Sequence, residues 1–362
     1  MLNTDTVTHS ALLSTYDSIR LDVILILVFL IGFKLFTAYL MVVMTKWFED
    51  DETADSAKPA RDKKAKKARK QVPLARRVLW MGLGALWIIN GAVQFRAVMV
   101  LMTQSALVHH SASTGPAWLQ SVLHWGDKLW AIQPVWMNIG AATFQLIVGV
   151  FLVLSVDGVL GQIGLWLSIL YAGATWVLWD GFGHVFRAGG TLFSGWPGAG
   201  LVYLLASALL VVPVRFWTNQ ALSKWVHKGF VTLFLLSVLW RLVPADGMWN
   251  SKGVQASFLS VPKAPGWIQS VANSAAQNMA GAPVLWNILF IAVLLALAVL
   301  TGFAFKKAWA MAIAFVWFAV VWIVGERLGL AGGFGLPLNT VPVLVLLWLA
   351  GWMAVRQRTA ST

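Results

Sequence analysis

Cysteine is absent from all 362 residues. That excludes disulfides, thiolate metal sites, iron–sulfur clusters and thiol redox chemistry carried by the chain itself. Charge is scarce too: 11% of residues are charged and 59% hydrophobic, where soluble domains average roughly 25% charged. So little charge cannot cover a water-soluble particle of this size, so most of the surface is expected to face lipid. Acids are the scarcer sign, 14 against 27 Lys and Arg, for a net charge of +13. In a soluble chain that excess would suggest nucleic acid. Here ten of the bases lie between Lys58 and Arg77, flanked by two apolar runs. A basic cluster beside a membrane span is a topology signal and a contact for anionic lipid at 58–77, so no nucleic-acid partner is expected. The start of the chain also lacks the basic, apolar and small-residue segments of a cleaved signal peptide.

Apolar runs of about 17–25 residues predict nine transmembrane helices near 21–46, 78–103, 134–155, 160–182, 198–214, 229–243, 283–305, 308–325 and 340–355. If the Lys-rich segment is cytoplasmic, the loops bearing Arg215, Lys224 and Lys228, then Lys306 and Lys307, then Arg356 and Arg358 fall on the same side. The positive-inside rule therefore puts the N-terminus outside and the C-terminus in the cytoplasm of a bacterial plasma (inner) membrane. The stretch 48–77 opens acidic and turns basic, with too little apolar surface to offset its ordering entropy, and reads as a cytoplasmic linker.

A shift of 149 positions superposes Pro116–Ile139 on Pro265–Ile288 without a gap, with ten identities in 24 positions. Composition alone would give roughly two. Further along, Trp176-Val-Leu-Trp-Asp180 matches Trp322-Ile-Val-Gly-Glu326. The expected fold is an all-α integral membrane protein. It has an N-terminal segment with the first helix (1–47), the linker (48–77) and two tandem parallel four-helix repeats (78–215 and 216–362). Residues 116–130 place Trp118, Val122, Trp125 and Leu129 on one stripe of a short amphipathic outer helix starting at a proline, expected to anchor at the membrane interface.

Ionisable groups inside spans are costly and point to a role. Arg96 and Asp180 lie 84 residues apart, Arg241 and Glu326 85 apart. Asn138 and Asn287 sit at the same outer level. Each repeat is thus expected to hold an Arg, a carboxylate and an Asn, either as an ion pair clamping two helices or as an outward polar cavity. Lys34, midway along the first span, should face other helices or water. Asn90 and Gln94 share a helix face, with Gln145 on the next span, as interhelical hydrogen bonding requires. His109, His110, His124 and His184 fall on the outer side as nitrogen ligands for copper or zinc, although their spacing fits no metal signature. The glycine-rich stretches near 189–200 and 325–335 read as tight turns, because no Lys-Ser/Thr follows them.

Three motifs carry a resemblance: Leu86-Trp-Ile-Ile-Asn-Gly91 in the first repeat helix, Pro134-x-x-x-Asn138 opening the second, and Trp176-x-x-x-Asp180 ending the third. Over 78–355 the chain resembles uncharacterised bacterial polytopic membrane proteins, a likeness that implies no activity. More distantly it is similar to the small four-helix DoxX/DoxD-type units associated with quinone-linked sulfur oxidation. Three functional classes follow. One is binding or transport of a small polar or anionic solute through outward-facing polar cavities. The second is a membrane subunit of a quinone-linked redox or metal-handling system. The third is a structural or assembly subunit among partner membrane subunits, with no site of its own. Neither an enzymatic reaction nor a cofactor can be named from these residues.

Overall fold

The computed structural model of the chain describes residues 72–359, apart from 97–98, 101–115, 186–191, 219–220, 244–247, 260–265 and 330–338. The expected first span at 21–46 with Lys34, most of the charged linker, and His109 and His110 lie outside the described residues.

Every regular element among the described residues is helical. The long ones are α1 (Leu74–Gln94), α2 (Ala117–Ile132), α3 (Pro134–Leu154), α4 (Val159–Leu178) and α5 (Ala199–Val211), followed by α6 (Ala221–Leu242), α7 (Ser251–Leu259), α8 (Gly266–Gly281) and α9 (Pro283–Ala304). The chain ends with α10 (Ala308–Val320), prolonged by a π-turn at Val321–Gly325, and α11 (Thr340–Thr359). Five of these are long and apolar enough to cross a membrane: α3, α4, α6, α9 and α10 with its π-turn. Helices α5 and α11 are apolar but shorter. Large apolar side chains such as Phe303 (91% exposed) and Leu170 (67%) stand on the outside, as lipid-facing helices require.

Proline sets several helix starts. Pro134 and Pro283 occupy the first turns of α3 and α9, where a missing N–H costs nothing. The residues before them, Gln133 and Ala282, share one backbone conformation (φ −149°, ψ 77° and φ −143°, ψ 63°). Helix α1 follows Pro73 and so starts four residues earlier than the apolar run suggests; α6 starts eight earlier. In both cases the added turns carry basic residues that no hydropathy window would include.

Arg76 therefore sits inside α1 rather than in the basic linker. It is buried, donates to Asp157 Oδ1 (Nε, 3.0 Å) and to the Val212 carbonyl (2.7 Å), and lies over the rings of Trp80 and Trp217. Of the bases expected to meet anionic lipid, this one is spent within the protein. Helix α2 forms where expected and buries Leu119, Leu123, Gly126 and Trp130. Trp118 and Trp125, expected to anchor at the membrane interface, are 49% and 56% exposed. The Trp118 ring also packs edge-on against Phe182, with 5.8 Å between the ring centroids.

Candidate functional site

Helices α1 and α3 cross at glycines. A Cβ on Gly149 would lie 2.7 Å from the Gly84 carbonyl oxygen, and one on Gly91 2.9 Å from that of Ala142. In this antiparallel pair residue numbers at one level therefore sum to about 233. Gln145 thus lies level with Ile88, between Trp87 and Asn90. It stands 11 residues into α3, about 16 Å along the helix and so close to the middle of a ~30 Å hydrocarbon core.

At that depth α1, α3, α4 and α5 enclose a buried polar network. Trp87 Nε1 donates to Ser168 Oγ (2.8 Å), which is 2.6 Å from Ser207 Oγ, and Ser207 donates to the Tyr203 carbonyl (2.9 Å). Because Ser207 spends its proton on the carbonyl, Ser168 is the donor between the two hydroxyls. Asn90 Nδ2 donates to the Tyr203 hydroxyl (2.8 Å) and Gln145 Nε2 to that of Tyr171 (2.9 Å). The Trp87 ring is held between the two tyrosines, at centroid distances of 4.8 Å from Tyr203 and 5.6 Å from Tyr171; Phe144 stacks on Tyr171. One turn further out, Gln94 and Asn138 form a reciprocal pair: Gln94 Nε2 donates to Asn138 Oδ1, and Asn138 Nδ2 to the Gln94 carbonyl (2.8 Å).

Two acceptors in this network are left over. Asn90 Oδ1 and Gln145 Oε1 are buried without a hydrogen-bond partner, on side chains 0% and 1% exposed. Each costs about 1–3 kcal/mol unless something donates to it.

The other half of the bundle is built differently at the same depth. Phe234, Phe318 and Trp348 pack as an aromatic cluster, joined by Phe230 and Phe305. Its polar pair lies at the end of α6 and the start of α9, where Arg241 donates to Asn287 Oδ1 (2.9 Å) and Asn287 Nδ2 to the Arg241 carbonyl (3.3 Å). The guanidinium is covered by Phe290 (4.8 Å to the ring centroid) and Phe193 (5.9 Å). Phe193 arrives on the turn between α4 and α5. Gly325 makes room for that turn: a Cβ there would be 2.6 Å from the Phe193 backbone.

The carboxylates have a different role from the one their spacing suggests. Asp180 Oδ2 accepts from Gly200 N–H (3.2 Å) in the first turn of α5. Glu326 accepts from Thr340 N–H (2.9 Å) and Val341 N–H (3.3 Å) at the start of α11. Both acids follow a wide turn closed by the same five-residue bond, Asp180 N–H to the Thr175 carbonyl and Glu326 N–H to that of Val321. Each therefore caps the next helix, where unpaired N–H groups and the helix dipole favour an anion. The two carboxylates expected to pair with Arg96 and Arg241 thus make cap bonds to backbone N–H groups. Burial pushes the Glu326 carboxyl up to about 7, with the N–H bonds from Val341 and Thr340 acting against it.

Of the remaining expected residues, Arg96 lies in the turn after α1 and His124 on the exposed side of α2. His184 lies in a short 3-10 turn. Among the described residues no three His, Cys, Asp or Glu gather as a metal site. Asn90, Gln94 and Gln145 are interhelical hydrogen-bonders, as their placement in apolar helices indicates. Trp87, Tyr171, Tyr203, Ser168 and Ser207 escaped sequence reading, because neutral aromatic and hydroxyl side chains are common in any span.

No family model, curated protein or solved structure matches this chain.

Proposed function

We propose that this is a bacterial inner-membrane protein that binds or transports a small polar solute in the buried network around Trp87, Tyr171 and Tyr203. The observation that carries the reading is the pair of unfilled acceptors, Asn90 Oδ1 and Gln145 Oε1, at mid-membrane depth. Polar groups in apolar helices normally exhaust one another. A network that keeps two acceptors open, framed by three aromatic faces, is suited to a guest that brings its own donors.

The architecture proposed around it is nine spans: an N-terminal helix and two parallel four-helix units, with the N-terminus outside and the C-terminus inside. Its support is the recurrence of local devices at matching positions. These are the proline-led starts of α3 and α9, the reciprocal Asn pairs, the five-residue turns before Asp180 and Glu326, and the two acid caps. Thermal melts of purified protein against a panel of polyols, amides, amino acids, carboxylic acids and inorganic anions test the solute reading. A member of the panel should raise the melting temperature of the wild-type chain and lose that effect in Tyr203→Phe. A panel without any such solute ends the proposal.

A further inference from the structure

The repeated devices allow the two units to be aligned position by position. Gln94 and Arg241 hold the same reciprocal pair with Asn138 and Asn287, which fixes the register of α1 on α6 and of α3 on α9. Trp176 and Trp322, each donating its indole N–H just before the next helix, align α4 with α10. The capped N–H groups of Gly200 and Val341 align α5 with α11.

On that alignment Trp87, Gln145, Ser168, Tyr203 and Ser207 correspond to Phe234, Leu294, Ala314, Leu344 and Trp348, all buried. Asn90 corresponds to Ser237, whose hydroxyl turns back on its own helix at the Leu233 carbonyl. Tyr171 corresponds to Trp317, so at these positions the second unit offers aromatic rings and two buried indole N–H groups without a partner, on Trp317 and Trp348, and no amide acceptor, where the first unit holds two open acceptors. The outer end of the second unit is filled as well, by Phe193 from the first.

The chemistry of the first unit narrows its guest. Trp87, Asn90, Gln145, Ser168, Tyr171, Tyr203 and Ser207 are all uncharged side chains. An ion at this depth would lose its hydration, and the charge felt at Tyr203 is the Glu326 carboxylate, which would repel an anion. Two amide oxygens seek donors, on side chains about 3 Å apart in level along the helix pair. The tyrosine hydroxyls, which accept from the two amides, still have protons to give. A primary amide answers all of this, with two N–H donors on one nitrogen and a carbonyl acceptor beside it.

We infer that the first unit alone carries the solute site, and that the site takes a small neutral molecule of amide type. The inference rests on the solute-binding reading above and deepens it.

The absence of cysteine makes the test direct. Ser168→Cys and, at the aligned position of the second unit, Ala314→Cys give single-thiol chains whose reaction with N-ethylmaleimide is followed in membranes. Acetamide and acetate, nearly the same in shape and different in charge, are the probes. Acetamide should slow labelling of the Ser168→Cys chain several-fold, acetate should not, and neither should protect the Ala314→Cys chain. Protection by acetate equal to that by acetamide overturns neutrality and leaves solute binding standing. Equal acetamide protection in both chains overturns the single site. No acetamide protection overturns the amide class, while the wider melting panel decides separately whether any solute binds. If Ser168→Cys does not fold, the same inference is read from an acetamide-dependent rise in the wild-type melting temperature. Gln145→Leu should abolish that rise, and absence of the rise overturns the inference.

Discussion

Gln94 and Arg241 perform one task with different side chains. Each gives an N–H to the oxygen of an Asn and receives that Asn's amide at its own carbonyl. Only a donor of suitable reach is needed, so Arg241→Gln should be tolerated. Arg241→Leu should cost about 1–3 kcal/mol, because it strands Asn287 Oδ1 in the core; comparative melts of the two variants check this. Glu326 supplies a pH signature. Its carboxyl titrates near 7 when folded and at about 4.5 as a free side chain, so the folded chain holds a proton there that the unfolded chain has released. Stability should fall as pH rises from about 4.5 to 7, and Glu326→Gln should flatten that part of the curve. The amides among these residues could be read in advance, since an Asn or Gln in an apolar helix must find a partner. The fate of the acids could not. Backbone N–H groups at helix starts compete for carboxylates, and a comparison of side-chain spacings does not count them.

Helix α1 is as long as the spanning helices yet too polar to be counted with them, because Arg76, Arg77, Asn90 and Gln94 interrupt it. It is accommodated by protein on its packed side: Leu79, Trp80, Leu83 and Trp87 are fully covered. The close crossing with α3 depends on glycine. Gly149→Ala would place a methyl 2.7 Å from the Gly84 carbonyl oxygen, pushing apart the helices that carry Asn90 and Gln145. A loss of about 1–3 kcal/mol is expected. Gly140, on the same helix with open space around it, should accept Ala with no loss, or a gain of several tenths of a kcal/mol. Paired melts of these variants separate crowding from helix propensity. At the other end of α1, Arg76→Ala would strand Asp157, which is only 21% exposed in its ion pair. That change should cost about 3–5 kcal/mol, with Asp157→Asn milder because an acceptor remains. Hydropathy located the long apolar helices among the described residues but not α7, and it trimmed α1 and α6, since their first turns carry bases that hydropathy rejects.

At the scale of the whole molecule, the proposed parallel duplication fixes which face of the membrane each loop must occupy. A parallel repeat puts α2 and α8, the short helices before Pro134 and Pro283, on one side. An inverted repeat puts them on opposite sides. The two helices bury matching positions, Leu119 and Trp130 in α2 against Ile268 and Met279 in α8, and each leads into a long apolar helix through a residue of similar backbone conformation, Gln133 and Ala282. Identical local geometry does not by itself set sidedness, because either face of a bilayer could receive it. Charge does, through the bases near Arg215–Lys228 and at Lys306 and Lys307, which would all lie in the cytoplasm if both short helices lie outside. Gln120→Cys and Gln269→Cys, made singly in a chain with no native thiol, sample the two helices at aligned positions. Both should react with a membrane-impermeant maleimide added to intact cells, and neither should need permeabilisation. Reaction of one from outside and of the other only after permeabilisation would show an inverted pair, and the alignment that sets the polar core of the first unit against the aromatic core of the second would fall with it.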